Sequence, residues 1–242
     1  MKKLFTCLAL VLAVTLSLSA DIYIKSKTHT DAMSVMGQNT PAQDSTSEQW
    51  IGDDKFASVG GDQAFIIDLK KNLGWIINTK AKTYVETPLP LDMSKLLPPE
   101  AAAFAGMMKM SATVTQTAET KKVGSWNCVG YDVNLSMAMF AMKMKVWAST
   151  DVPFDVNAFN AKVWSNLVGG QMMMDAASIK EMTKIKGFQI ATETTGDIMG
   201  AKMRSTTEVV EITKKDAPAG IYSVPAGFTK TATLSMDALQ KK

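Results

Sequence analysis

The sequence predicts an α+β, mostly β fold built on an antiparallel sheet, and three observations carry that expectation. The first is a long hairpin between Glu119 and Asp151. Val129, Tyr131, Val133, Leu135 and Met137 alternate there with Cys128, Gly130, Asp132, Asn134 and Ser136, and Met142, Met144, Val146 and Ala148 then alternate with Lys143, Lys145, Trp147 and Ser149. Two adjacent runs of period two are the pattern of paired strands with one buried and one wet face. The second observation is a meander. WIGDDKFASVGG, DQAFIIDLKKN, LGWIINTKAK and TYVETP are short apolar runs punctuated by Asp-Asp, Gly-Gly, Lys-Lys-Asn and Thr-Lys-Ala-Lys. The third is that no crossover helix separates these runs, which argues against a doubly wound α/β enzyme.

Taken in order, the chain opens with MKKLFTCLALVLAVTLSLSA: two lysines, an apolar run from Leu4 to about Leu16, and small residues before Asp21. That is the layout of a secretory signal peptide over residues 1–20, with cleavage expected after Ala20. The apolar run is shorter than the roughly 18–20 residues that span a bilayer. This implies an exported protein, periplasmic or secreted, with a single domain over 21–242 and no transmembrane span in the mature chain. Cys7 lies inside the apolar run, so no lipid anchor is expected. Without the leader, basic and acidic residues nearly balance, 24 against 23, and no basic excess calls for nucleic acid. Cys128 is then the one cysteine, and its place in a strand points to a buried, inert thiol.

DIYIKSKTH, from Asp21 to His29, reads as an amphipathic first strand, and the polar GQNTPAQDSTS that follows suits a turn or hairpin tip. The register changes at Pro88. Two helical insertions are expected, over about 92–110 and 155–186. Pro99 and Glu100 favour a helix start, with Phe104, Met107 and Met108 on one face. Asp155 suits the N-cap of a helix from about Val156 to Val168, striped by Val156, Phe159, Val163 and Leu167 and stopped by Gly169 and Gly170. QMMMDAASIKEMTKIKG predicts a short third helix ending near Gly187. GFQIATETTG and AKMRSTTEVVEITKK read as two further strands, DAPAGIYSVPAGFTK as an edge segment, and TATLSMDALQKK as a loosely docked tail.

With these elements placed, the chain resembles a group of bacterial exported proteins of unknown function that look like relatives of the LolA/LolB-like lipoprotein-carrier superfamily. The resemblance lies in IIDLKKNLGWIINTKAKTYVETP, in KKVGSWNCVGYDV followed by MKVWASTDVP, in IKEMTKIKGFQIATE and in EVVEITKKDAPAGIYSVPAGF, and covers most of residues 21–242. It implies an incomplete antiparallel β-barrel, a curved sheet with helices covering its concave face, and a cavity that in the better-known relatives takes up acyl chains. Arg204 is the single arginine, so a polar latch used by relatives to close the lid does not carry over.

Catalytic chemistry finds little support. His29 is the only histidine, and neither it nor Cys128 sits in a nucleophile motif, so no enzyme and no catalytic residue are expected. One histidine and one cysteine are too few for zinc, Asp53, Asp54 and Asp62 lack the EF-hand spacing, and no cofactor or metal site is assigned. Methionine exceeds expectation. Eleven fall in three patches: Met93, Met107, Met108 and Met110; Met137, Met139, Met142 and Met144; Met172, Met173 and Met174. Unbranched thioethers adapt to changing apolar shapes, which suits a carrier cavity as well as an ordinary core. The expected function is therefore binding of a hydrophobic or amphiphilic ligand, a lipid or lipoprotein acyl chain, as carrier or sensor. Its predicted lining is Phe104, Met107, Met108, Met144, Val146, Phe159 and Val163. The alternatives are a non-enzymatic envelope interaction module with a closed core, meeting a protein partner through an edge strand or Trp147, and a soft-metal Cu(I) site of thioethers.

Overall fold

The computed structural model describes residues 20–35, 37–102, 109–137, 140–164, 166–167, 173–198 and 200–235. The expected leader up to residue 19 and the tail from 236 lie outside the described residues, as do Phe104, Met107, Met108, Met139 and Met172. In chain order the strands are β1 (Asp21–Thr30), β2 (Met33–Val35), β3 (Gln38–Thr40), β4 (Gln43–Ile51), β5 (Lys55–Gly60), β6 (Gln63–Asp68), β7 (Leu73–Asn78) and β8 (Thr83–Pro88). They continue with β9 (Ser111–Val123), β10 (Trp126–Ser136), β11 (Ala141–Ser149), β12 (Phe188–Ile198), β13 (Ala201–Lys215) and β14 (Thr229–Lys230). Strands β2 and β3 make a small separate hairpin. The other twelve form one large curved sheet in the order β14-β8-β7-β6-β5-β4-β1-β13-β12-β11-β10-β9, which is not closed.

Every described pairing in that sheet is antiparallel except β14 with β8. The first strand does the joining. β1 pairs with β4 on one side and β13 on the other, so it links the meander β4–β8 to the meander β9–β13. The hairpin read from alternation is β10–β11, with Tyr131 opposite Val146 and Val133 opposite Met144. β9, to which the sequence reading assigned no strand, extends it as the open edge.

The helical insertions are described in part. α1 is described over Pro99–Ala102. α2 (Val156–Phe159) is capped by Asp155, whose Oδ1 accepts from the Asn157 and Ala158 amides at 2.9 and 3.0 Å. It then runs into a π-helical turn, Asn160–Trp164, rather than continuing as one α-helix. α3 (Ala176–Met182) is capped by Asp175, which accepts from the Ser178 amide at 2.7 Å.

Cross-strand register sorts the side chains onto two faces. On the first, Phe56, Phe65, Ile67 and Val85 pack under Leu89, Leu91, Leu96, Val163, Leu167 and Leu234. Farther along that face, Ala112, Val114, Tyr131, Val133, Leu135 and Val146 pack under Met174, Met182 and Ile185. A chain of rings runs beside the first cluster: Phe159 is 6.3 Å from Phe56 and 5.9 Å from Phe154 between ring centroids, and Phe154 is 5.3 Å from Phe188. On the second face, Tyr23, Trp50, Ala57, Ile66, Trp75 and Ile77 are covered by Ala217, Ile221, Tyr222, Val224 and Phe228. The run expected as an edge segment is thus a strap across this face. Its last two residues, Thr229 and Lys230, form the edge strand β14. The Tyr222 hydroxyl donates to Asp21 Oδ2 at 2.9 Å and ties the strap to the start of β1.

Candidate functional site

The predicted ligand-cavity residues that the structure describes fall in two places on the first face. Val146 and Met144 belong with the cluster under α3, and Val146 has no exposed surface. Val163 is buried in the cluster under the Leu89–Leu96 segment, with Phe159 packed against it. Of a smaller cavity of about 220 Å³, bordered by Ile76, Val85, Met93, Thr231 and Leu234, none of these four residues is a wall.

The methionines show the clearest convergence. Met110 from the first patch, Met142 and Met144 from the second and Met174 from the third all join one cluster, together with Met182 of α3. Strand pairing explains it. Met142 and Met144 point to the same face of β11, opposite Leu135 and Val133, while an isolated parallel bridge brings Met110 to Met174. Met182 lies one turn beyond Ser178, whose Oγ accepts the Ala112 amide of β9 at 3.1 Å and so docks α3 on the sheet edge.

Next to this cluster the first face turns hydroxylic. Register places Ser26, Thr28 and Thr30 of β1 on the same face as Ser205 and Thr207 of β13 and Thr192 and Thr194 of β12. Thr28 and Thr207 share a hydrogen bond of 2.9 Å between their hydroxyls, and Thr30 and Ser205 one of 3.1 Å. Thr194 and Thr192 stand directly opposite Met144 and Val146. A hydroxyl-bearing strip and a thioether-rich cluster therefore adjoin.

The second face carries a larger recess, of about 800 Å³, on its uncovered half. Its floor is a row of directly opposed residues: Trp147 of β11, Ala191 of β12, Glu208 of β13, Lys27 of β1 and Thr46 of β4. The next row holds Lys145, Glu193, Thr206, His29 and Asp44. Arg204 Nε donates to Glu193 Oε1 at 2.8 Å, and Lys145 Nζ lies 2.9 Å from Glu119 and 3.1 Å from Asp132. The sequence pattern points to Trp147, His29 and Arg204 one at a time, and not to their shared recess. The residues in the row of Trp147 lie on four other strands, and no local pattern announces that they meet.

His29 and Cys128 are not neighbours. Four strand spacings separate β1 from β10, on the order of 19 Å. Cys128 is 2% exposed, its Sγ donates to the Trp126 carbonyl at 3.7 Å, and burial pushes the thiol pKa up, away from thiolate chemistry. His29 is held instead by carboxylates, with Nδ1 2.7 Å from Asp44 and Nε2 3.2 Å from Asp31. Among the described residues, no group of three or more His, Cys, Asp or Glu side chains is placed to hold a metal ion, and no helix is long and apolar enough to cross a membrane.

No family model matches the chain, and no curated protein matches it significantly.

Proposed function

We propose that this is an exported, non-catalytic protein that carries or senses an amphiphile, a lipid or lipoprotein acyl chain, on the first face of its open sheet. The observation that supports it is the meeting of three methionine patches beneath α3, beside the Ser/Thr strip of β1, β12 and β13. Thioethers tolerate the changing shape of a flexible chain, and hydroxyls supply donors and acceptors for a polar head. In this reading the first face is the concave, helix-covered one. Met144 and Val146 belong to the lining, with Phe159 and Val163 at its far end; the other expected lining residues, Phe104, Met107 and Met108, lie outside the described residues. The protein is periplasmic or secreted, released by cleavage after Ala20, and its fold is that of the LolA-like half-barrels.

Native mass spectrometry of residues 21–242, purified from an envelope fraction and then exposed to phospholipid vesicles and separately to Cu(I), tests the proposal. A reproducible adduct that extracts into organic solvent as a lipid is the expected result. A mass that stays bare after lipid exposure overturns it and favours a closed-core interaction module; a copper adduct without lipid makes the same methionines a soft-metal site.

A further inference from the structure

The uncovered half of the second face is built unlike an ordinary solvated strand surface, and we propose that the recess beside Trp147 is a second binding site, for a neutral saccharide. Its walls and floor are specific. Gly130 and Ala191 flank Trp147 in its row, so the indole has room to lie across the sheet. A Cβ at Gly130 would come 3.2 Å from Trp147 Cζ3 and 2.7 Å from Thr117 Oγ1, closer than side chains pack. Glycine there lets the ring lean over β10, and alanine on the other side leaves a shallow floor next to it. The volume, about 800 Å³, lies within the usual range of small-molecule sites.

Charge then selects the ligand class. Lys27, Lys121 and Arg204 line the recess against Asp44, Glu193 and Glu208, so its lining is balanced when His29 is neutral. A cationic ligand would meet ammonium groups already over the indole, Lys121 at 5.4 Å and Lys145 at 5.5 Å from its centroid. An anionic one would meet Glu193 and Glu208. A neutral polyol suffers neither repulsion and uses both kinds of group, because each hydroxyl donates to a carboxylate and accepts from an ammonium. The apolar C–H face of a pyranose ring fits the indole once both ammonium groups move off it, Lys121 from an exposed position and Lys145 by leaving its contacts with Glu119 and Asp132. Lys27 and Glu208 stand opposite each other and form no salt bridge with any described residue, which leaves their polar ends for the ligand. Because the recess lies on the face opposite α2 and α3, this site is independent of the amphiphile proposal, and either stands if the other fails.

Saturation-transfer NMR and titration calorimetry of the full mature chain with maltotriose, cellotriose and triacetylchitotriose test it. At least one is expected to bind, with the strongest transfer to the ring C–H protons. Trp147→Ala should weaken that sugar about tenfold or more, equivalent to about 1.4 kcal/mol, and Trp147→Phe should keep part of the affinity. Because Trp147 also packs against neighbouring apolar residues, the exposed Glu208→Ala serves as a second variant that leaves the core untouched, and a several-fold loss is expected. No binding of any of the three by wild type, or binding unchanged in both Trp147→Ala and Glu208→Ala, overturns the site.

Discussion

The two apolar clusters on the first face stand on one sheet but are made of different side chains. The one over β5–β8 is mainly aromatic and branched, with Phe56, Phe65, Ile67, Val85 and leucines at 89, 91, 96, 167 and 234, and one methionine, Met93, packed against it. The one over β9–β11 gathers Met110, Met142, Met144, Met174 and Met182 around Tyr131, Val133 and Val146. Branched and aromatic side chains occupy few rotamers and define one packing, whereas methionine has three rotatable bonds and fills whatever shape is presented. The difference sets two packing regimes side by side: the first cluster defines one arrangement and, under the carrier function proposed above, the second is where a guest would be accommodated with little rearrangement of backbone.

The largest effect that tests this contrast belongs to the rigid cluster. Ile67 has no exposed surface, and Ile67→Ala should cost about 3–4 kcal/mol, from lost burial and a cavity that stiff neighbours cannot refill. Urea unfolding measures it. A loss below about 1 kcal/mol would mean that this cluster relaxes as readily as the other and would erase the distinction.

Next in size is the seam that holds α3 over the methionines. Ser178 is 3% exposed and its hydroxyl accepts the Ala112 amide from the open edge of the sheet, while Glu181 Oε2 accepts the Val114 amide at 3.0 Å. These two side chains take the place of a neighbouring strand. Ser178→Ala leaves a buried N–H without its partner and should cost about 1–2 kcal/mol, with faster hydrogen exchange at Ala112 as the local signature. Unchanged exchange there would show that the helix does not close the edge.

A smaller stability effect with a larger functional one is expected of Met174→Leu combined with Met182→Leu. Volume is nearly conserved, so stability should change by less than about 1.5 kcal/mol per site. Lipid retention in native mass spectrometry should nevertheless fall, because branched leucine removes the adaptability of the thioethers. Equal retention by the variant would reduce this cluster to ordinary core.

The sequence made some of this legible and hid the rest for physical reasons. The β10–β11 hairpin was readable because both strands bury alternate residues, and the β4–β8 meander because its turns carry glycine, aspartate and lysine. β9 was not, since an edge strand that buries only Ala112, Val114 and Val123 shows little alternation. The helix expected over 156–168 carries an apolar stripe, yet the chain leaves α-geometry at Asn160. The methionine patches were visible, but only register and the Met110–Met174 bridge bring them together. The Trp147 recess had no linear signature at all: Lys27 and Glu208 meet because β1, first in the chain, pairs with β13, among the last.

The smallest expected effect lies at the polar end of that same uncovered face, where His29 is the single titrating imidazole. Its hydrogen bond to Asp44 is the main cause that raises its pKa above 6.5, with the charges of Asp44 and Asp31 adding to it against a desolvation cost. A folded-state pKa above the unfolded one means that the contribution to stability is complete below pH 6.5 and is lost as pH rises through the folded value. The group is exposed, so salt should screen the effect and the change in stability should be slight. One imidazole gives one set of resonances, and its NMR titration midpoint should lie above 6.5, falling towards that value in Asp44→Asn and at high salt. A wild-type midpoint at or below 6.5 would mean that the Asp44 contact is not maintained in solution, and the β1–β4 end of the recess would then lack the ordered polar wall that its floor pattern requires.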